Sequence, residues 1–193
     1  LMDDPWDEVA TAGRWLLALE EAERPDVVHL CSLAHGALPF QAPKVLVAHS
    51  CVLSWWRAVH GAEAPAEWDR YREETSAGLA GADAVVAPTQ AMLDELEHDH
   101  RLPPGVATVI HDGSSAPLVP GEAEKRKLVM GAGRFWDPAK GLATLDAAAE
   151  GLAWPVVIAG DPGEGGTRHA ESTGVLGPTA LAELRREASI YAA

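Results

Sequence analysis

The sequence predicts an α/β fold in two pieces, each a parallel sheet wound with helices on both faces. Three observations carry this expectation. Short continuous apolar runs, such as Val45-Leu46-Val47 and Val156-Val157-Ile158, have the β-branched composition of strands buried on both faces. Segments with helical apolar spacing alternate with those runs, which is the pattern of βαβ units. A charged stretch containing Pro117, Pro120 and Gly121 shows no apolar period and divides the chain.

In chain order, Asp3-Asp4-Pro5 marks a helix start, and Trp6, Val9, Leu16 and Leu19 share one face until Arg24-Pro25 stops it. Residues 26–31 and 44–50 read as strands. Pro65 opens a helix with Trp68, Tyr71 and Leu79 inward. Residues 82–88 form a third strand, and Thr89 caps a helix carrying Met92, Leu93 and Leu96. Residues 106–110 are a fourth strand, closed by His111-Asp112-Gly113. This gives a first domain over 1–113, a linker over 114–127 and a second domain over 128–193. In the second, residues 128–131 are a strand, 138–152 a helix and 154–161 a strand ending in a Gly-Asp turn. Residues 163–173 read as loop and 175–177 as a short strand. Thr179 caps a helix to Glu187, and another strand starts at Ser189.

Composition narrows the function classes. With 15 basic and 29 acidic residues the net charge is −14, so a nucleic-acid polymer is not the expected partner. Two cysteines, Cys31 and Cys51, make no disulfide framework. Both follow apolar runs and are expected as buried, reduced thiols. The acidic N-terminus is unlike a secretory signal, and the apolar region over 36–62 is broken by Pro39, Pro43, Lys44 and Arg57. A cytoplasmic protein without a transmembrane segment is the expectation. His98 and His100 lack a third ligand and read as surface residues, so no metal site is expected.

The chemistry concentrates in Leu128-Val-Met-Gly-Ala-Gly-Arg-Phe-Trp-Asp-Pro-Ala-Lys-Gly141. An apolar strand runs into Gly131 and Gly133, which permit a sharp turn and close approach of the backbone. Asp137 is placed to cap a helix whose first residue is Pro138. Arg134 and Lys140 bring two fixed cations beside that helix start, a combination suited to a diphosphate. A dinucleotide fingerprint would need a third glycine at 136, where Trp136 stands, so a NAD-dependent oxidoreductase is the weaker reading. A phosphate loop of the Walker type would need Ser or Thr at 141, where the residue is Gly141.

This stretch resembles the opening of the C-terminal domain of retaining GT-B glycosyltransferases of family 4. There, Gly-Arg and a following Lys hold the diphosphate of a nucleotide-sugar donor. The resemblance extends along the chain through Pro25-Asp26-Val27-Val28-His29, Val47-Ala48-His49-Ser50, Ala82-Asp83-Ala84-Val85-Val86, Val109-Ile110-His111-Asp112-Gly113, Val157-Ile158-Ala159-Gly160-Asp161 and Val175-Leu176-Gly177. It implies two Rossmann-like domains, both incomplete. The family's N-terminal glycine-rich loop and its C-terminal Glu-x7-Glu motif have no counterpart among these residues. The implied roles are sugar orientation for His49 and donor binding for Gly131, Gly133, Arg134, Lys140, Asp161 and Gly177.

A nucleotide-diphosphate-sugar is then a substrate, with no cofactor and no metal; Asp-x-Asp does not occur in the chain. The acceptor is unspecified, although Trp55-Trp56-Arg57 could stack on one. An inactive or split nucleotide-binding fragment, completed by self-association or a second chain, is an alternative, and a nucleotide-sugar epimerase is another.

Overall fold

The computed structural model describes residues 5–113 and 124–192. They fall into two compact units, Leu1–Ser115 and Ala116–Ala193. The first ten residues of the expected linker lie outside the described residues.

The first unit runs α1 (Trp6–Glu23), β1 (Val28–Leu30), β2 (Lys44–Val47), α2 (Val52–His60), α3 (Asp69–Gly81), β3 (Ala84–Ala87), α4 (Gln90–Asp99) and β4 (Ala107–Val109). Its four strands are parallel in the order β1-β2-β3-β4, with Leu30, Leu46, Val85 and Ala107 in register. The apolar runs of the two central strands are buried as expected, whereas the runs at the sheet edges are only partly so, with Val27 50% and Ile110 59% exposed. Leu46, Leu79 and Leu96 lose all exposure, each contributing about 1.5–3 kcal/mol of transfer free energy. Thr89 caps α4 through its side chain, which accepts the Met92 N–H at 3.1 Å. The helix expected from Pro65 begins as a 3-10 turn, Ala66–Trp68, and continues as α3. Gly78 lets α3 touch the 3-10 turn Leu33–Ala37. A Cβ at Gly78 would stand 1.8 Å from the Leu33 carbonyl oxygen.

Several expectations for this unit need correction. The sequence pattern does not predict helix α2, whose nine residues sit inside the region that reads only as broadly apolar. Leu19 is exposed, because the narrow buried stripe of α1 leaves it outside. Cys31 is exposed, one residue beyond the end of β1. His100 is not a surface residue: it is 3% exposed, between Cys51 and α3. Its Nδ1 lies 2.8 Å from Ser76 Oγ and its Nε2 3.7 Å from Cys51 Sγ, and Tyr71 OH donates to the same sulfur at 3.8 Å. Cys51 is buried as expected.

Burial pushes the His100 imidazole below its ordinary value near 6.5, with Asp99 opposing that shift. The unfolded chain therefore takes up a proton that the folded unit refuses. The first unit is expected to lose stability as pH falls below 6.5, down through the folded-state value. Urea midpoints across pH 7.5 to about 5 measure this, and His100→Asn should flatten the slope.

The second unit runs β5 (Arg126–Ala132), α5 (Leu142–Ala149), β6 (Val156–Ala159), β7 (Glu171–Gly174), α6 (Pro178–Glu187) and β8 (Ala188–Ala192). All strands are parallel in the order β7-β6-β5-β8. The chain steps outward from β5 to β6 and β7, then returns to the other side of β5. Val129, Phe135, Val156 and Ile158 form one core layer, and Leu128, Met130, Val157 and Ala188 the other. Asp146 of α5 ties the loop before β7 in place, accepting the backbone N–H groups of Arg168, His169 and Ala170 at 2.9–3.1 Å.

Three expectations fail here for local reasons. The helix expected over 138–152 is split by Gly141 at φ 62°, leaving a 3-10 turn, Pro138–Lys140, ahead of α5. The strand expected at 175–177 is replaced by β7 four residues earlier, and Val175 is 81% exposed. Thr179 does not cap α6: the cap position is Gly177, and Pro178 takes the first turn. The α/β class with two parallel sheets is as expected.

Candidate functional site

In an open parallel sheet, ligands sit outside the carboxyl ends of the strands where the strand order reverses. In the second unit that place lies between β5 and β8. A cavity of about 490 Å³ opens there, and its wall includes Gly133, Arg134, Trp136, Asp161, Arg185 and Tyr191. The sequence places Gly133 and Arg134 there because β5 ends in an Ala132-Gly133 turn. The Gly133 N–H donates to the Ala159 carbonyl at 3.1 Å, so the turn is an extension of the β5–β6 ladder. Gly160, at φ 150°, lies against it: a Cβ there would be 1.9 Å from the Gly133 carbonyl oxygen.

Arg134 lays its guanidinium over the Trp136 ring at 5.6 Å from the centroid. Asp161 also lines the cavity, with its Oδ1 accepting the Gly163 N–H at 2.9 Å. Gly131 sits inside β5 beneath the turn, where a Cβ would meet Leu145 at 2.8 Å, so its role there is close packing of α5 on the sheet. Lys140 is outside the cavity wall. Its Cγ and Cδ pass 3.8 Å from where a Cβ on Gly133 would stand. Gly177 is also outside the wall, next to Leu176, which is in it.

The start of the Pro138 turn is not an open anion site. Asp137 Oδ1 accepts the Ala139 N–H at 2.9 Å, and the Asp137 carbonyl accepts the Lys140 N–H at 3.0 Å. The cap that the sequence foretells uses the amides a phosphate would need. Trp136, Arg185 and Tyr191 of the cavity were missed by sequence reasoning. Trp136 reads in the sequence only as a missing glycine, and the other two carry no motif signal.

In the first unit His49 follows β2 and is half exposed, its Nδ1 3.8 Å from Asp112 Oδ2 beyond β4. His111 is near the same sheet end, with its Nδ1 2.9 Å from the Pro88 carbonyl oxygen. A separate cavity of about 890 Å³ in this unit is walled by Trp6, Cys31, Ser50, Trp56, Trp68 and Tyr71, among others. Of the Trp55-Trp56-Arg57 trio only Trp56 reaches it. Arg57 is turned into a cluster of acids, Glu63, Glu95 and Asp99. The Trp68 Nε1–H is buried without a partner among the described residues. No group of three or more metal-ligating side chains occurs among the described residues. No helix among them is long and apolar enough to cross a membrane.

Comparison with known proteins adds two findings. Residues 3–114, more than half of the chain, match the family model described as Glycosyltransferase Family 4. Among solved structures the chain is similar to the crystal structure of a glycosyltransferase from Rickettsia africae ESF-5, with a TM-score of 0.60 at 14% identity. That likeness covers 93% of this chain and 54% of the other, so the chain spans about half the length of that relative. At this identity the likeness speaks for the fold. A search of the curated proteins finds no match.

Proposed function

The chain belongs to Glycosyltransferase Family 4, and from that premise we propose that it serves transfer of a sugar from a nucleoside-diphosphate donor to an acceptor, with retention at the anomeric carbon. The observation that carries this reading is the cavity at the reversal point of the second sheet, with the Arg134 guanidinium in its wall and free of any carboxylate partner among the described residues. An arginine fork there matches two phosphate oxygens and stabilises the diphosphate as it leaves. Gly133 allows the backbone to approach and Asp161 borders the nucleotide. Gly131 supports the turn from beneath by letting α5 pack on the sheet, Gly177 lies one residue beyond the wall, and Lys140 adds long-range positive charge. The fixed cations do the work that a metal does in other transferases, so the reading is metal-independent.

In the first unit His49 is the residue assigned to the donor sugar, and the aromatic cavity with Trp56 is assigned to the acceptor. Exposed aromatic edges suit a ligand with an apolar face and a polar rim. The hexosyl-transferring part of the reading follows from the resemblance. The sugar- and ribose-holding carboxylates of the family have no counterpart in these 193 residues.

The test is a calorimetric titration with UDP, GDP and ADP, with NAD as control. Saturable 1:1 binding of one nucleoside diphosphate, without NAD binding, is the expected result. Failure of all three to bind, or binding of NAD in their place, would overturn the reading.

A further inference from the structure

Arg185 is the charged residue of the second unit's cavity that no motif explains. It stands in the last turn of α6 beside Arg186. Cations in that position are ordinarily explained by the negative end of the helix, and Arg186 alone would satisfy that need. The two side chains diverge. Arg186 lies with Lys125 and Glu187 at the foot of the sheet, while Arg185 reaches the cavity.

Arg185 lays its guanidinium over the Tyr191 ring, 5.4 Å from the centroid. The ring is itself fixed, since the Tyr191 hydroxyl donates to the Ala132 carbonyl at 3.4 Å. Ala132 ends β5, two residues before Arg134. Two guanidinium groups, each resting on an aromatic ring, therefore line one cavity. Trp136 and Tyr191 remain 58% and 46% exposed. Arg57, Arg70, Arg72 and Arg126 all have carboxylate partners. Among the described residues Arg134 and Arg185 have none, as is also true of Arg14, Arg24, Arg101, Arg168 and Arg186; what sets the pair apart is that both line this cavity and both rest on an aromatic ring. Asp161 is the acid in the same wall, and its Oδ1 is engaged by Gly163.

We propose that Arg185 is the second donor-holding cation, gripping the diphosphate together with Arg134 in the place expected for Lys140. This rests on the donor-binding reading above. A diphosphate presents oxygens on two phosphorus atoms, and two guanidinium forks match it better than one fork and a distant ammonium. Stacking on Tyr191 holds the fork in place before the ligand arrives, so little side-chain freedom is lost on binding.

The experiment is calorimetric titration of the chain with the nucleoside diphosphate that it binds, and with the matching nucleoside. Arg185→Ala should weaken diphosphate binding roughly 10- to 30-fold and leave nucleoside binding unchanged. Arg185→Lys should recover only part, Lys140→Ala should cost less than Arg185→Ala, and Arg186→Ala should change nothing. Urea midpoints of Arg185→Ala and Arg186→Ala establish that both fold alike. If Arg185→Ala binds as the parent does while Arg134→Ala fails, the role of Arg185 is overturned and the donor reading stands. Equal losses for nucleoside and diphosphate would make Arg185 a packing residue and also overturn the proposal. If the parent chain binds no nucleoside diphosphate, both fall.

Discussion

Gly160→Ala is expected to abolish nucleoside diphosphate binding and to lower the stability of the second unit by about 3 kcal/mol. The added methyl would stand 1.9 Å from the Gly133 carbonyl oxygen and 3.3 Å from the Phe135 ring, on a backbone at φ 150° that side chains rarely adopt. Neither partner can retreat cheaply. The Gly133 N–H is bonded to Ala159, and the Gly160 N–H is bonded to Gly174 at 2.8 Å. Relief of the clash must part β5 from β6 at their carboxyl ends, where Gly133, Arg134 and Asp161 line the cavity. Gly165→Ala, with nothing within 4 Å, is the control that should leave both properties alone. Urea unfolding and calorimetric titration of the two variants decide it. A Gly160→Ala chain as stable and as tight-binding as the parent would contradict the close approach of the two turns.

Arg57→Met should destabilise the first unit by about 3 kcal/mol through a different mechanism. Arg57 donates to both oxygens of Asp99 at 3.0 and 3.1 Å, to Glu63 at 3.1 Å and to Glu95. Burial raises the Asp99 carboxyl, but the hydrogen bonds from Arg57 and His98 outweigh it and hold the group below its ordinary value. With Arg57 gone, Glu63 and Glu95 are exposed enough to rehydrate. Asp99, 4% exposed, is left as a buried charge whose remaining side-chain partner is the exposed His98 at 3.2 Å.

Asp99→Asn added to Arg57→Met should therefore recover roughly half of the loss. The sign with pH is fixed by the depressed carboxyl. The pair contributes above the unfolded value near 3.8 and its contribution is lost as pH falls through the folded one. Urea unfolding followed by fluorescence of Trp55, Trp56 and Trp68 gives the cycle; recovery absent from the double variant would place the cost elsewhere.

Much of this arrangement is legible in the residues. Strands covered on both faces announce themselves as apolar runs, which is why Leu46, Val85 and Ile158 mark the sheets correctly. Strand β7 is at the edge of its sheet and reads Glu-Ser-Thr-Gly, with its first three residues exposed, so no apolar signal points to it. The helix break at Gly141 is a backbone matter, and a lone glycine between helical residues does not reveal a left-handed φ.

At the site, Gly133 and Arg134 follow directly from strand, turn and charge. Arg185 lies about fifty residues downstream, and only the return of the chain to the far side of β5 brings it there. His100 reads as a surface residue because it stands at a helix end with no third metal ligand in reach. Its burial comes from Cys51 and Ser76, distant contacts that no local window contains.

The strand order of the second sheet also sets a sequence of events. In the first unit each strand is laid beside the one before it, so every pairing closes a modest loop. In the second, β5 must wait for β8, with Arg126 pairing Ala188 across about sixty residues, and loop closure of that span is slow. Strand β8 should thus be the last to dock, and it carries Tyr191 and anchors Arg185. The cavity is then complete only when the unit has finished folding. Ligand affinity becomes a reporter of the final folding step, and a nucleoside diphosphate should act as a folding aid that captures the chain after β8 arrives.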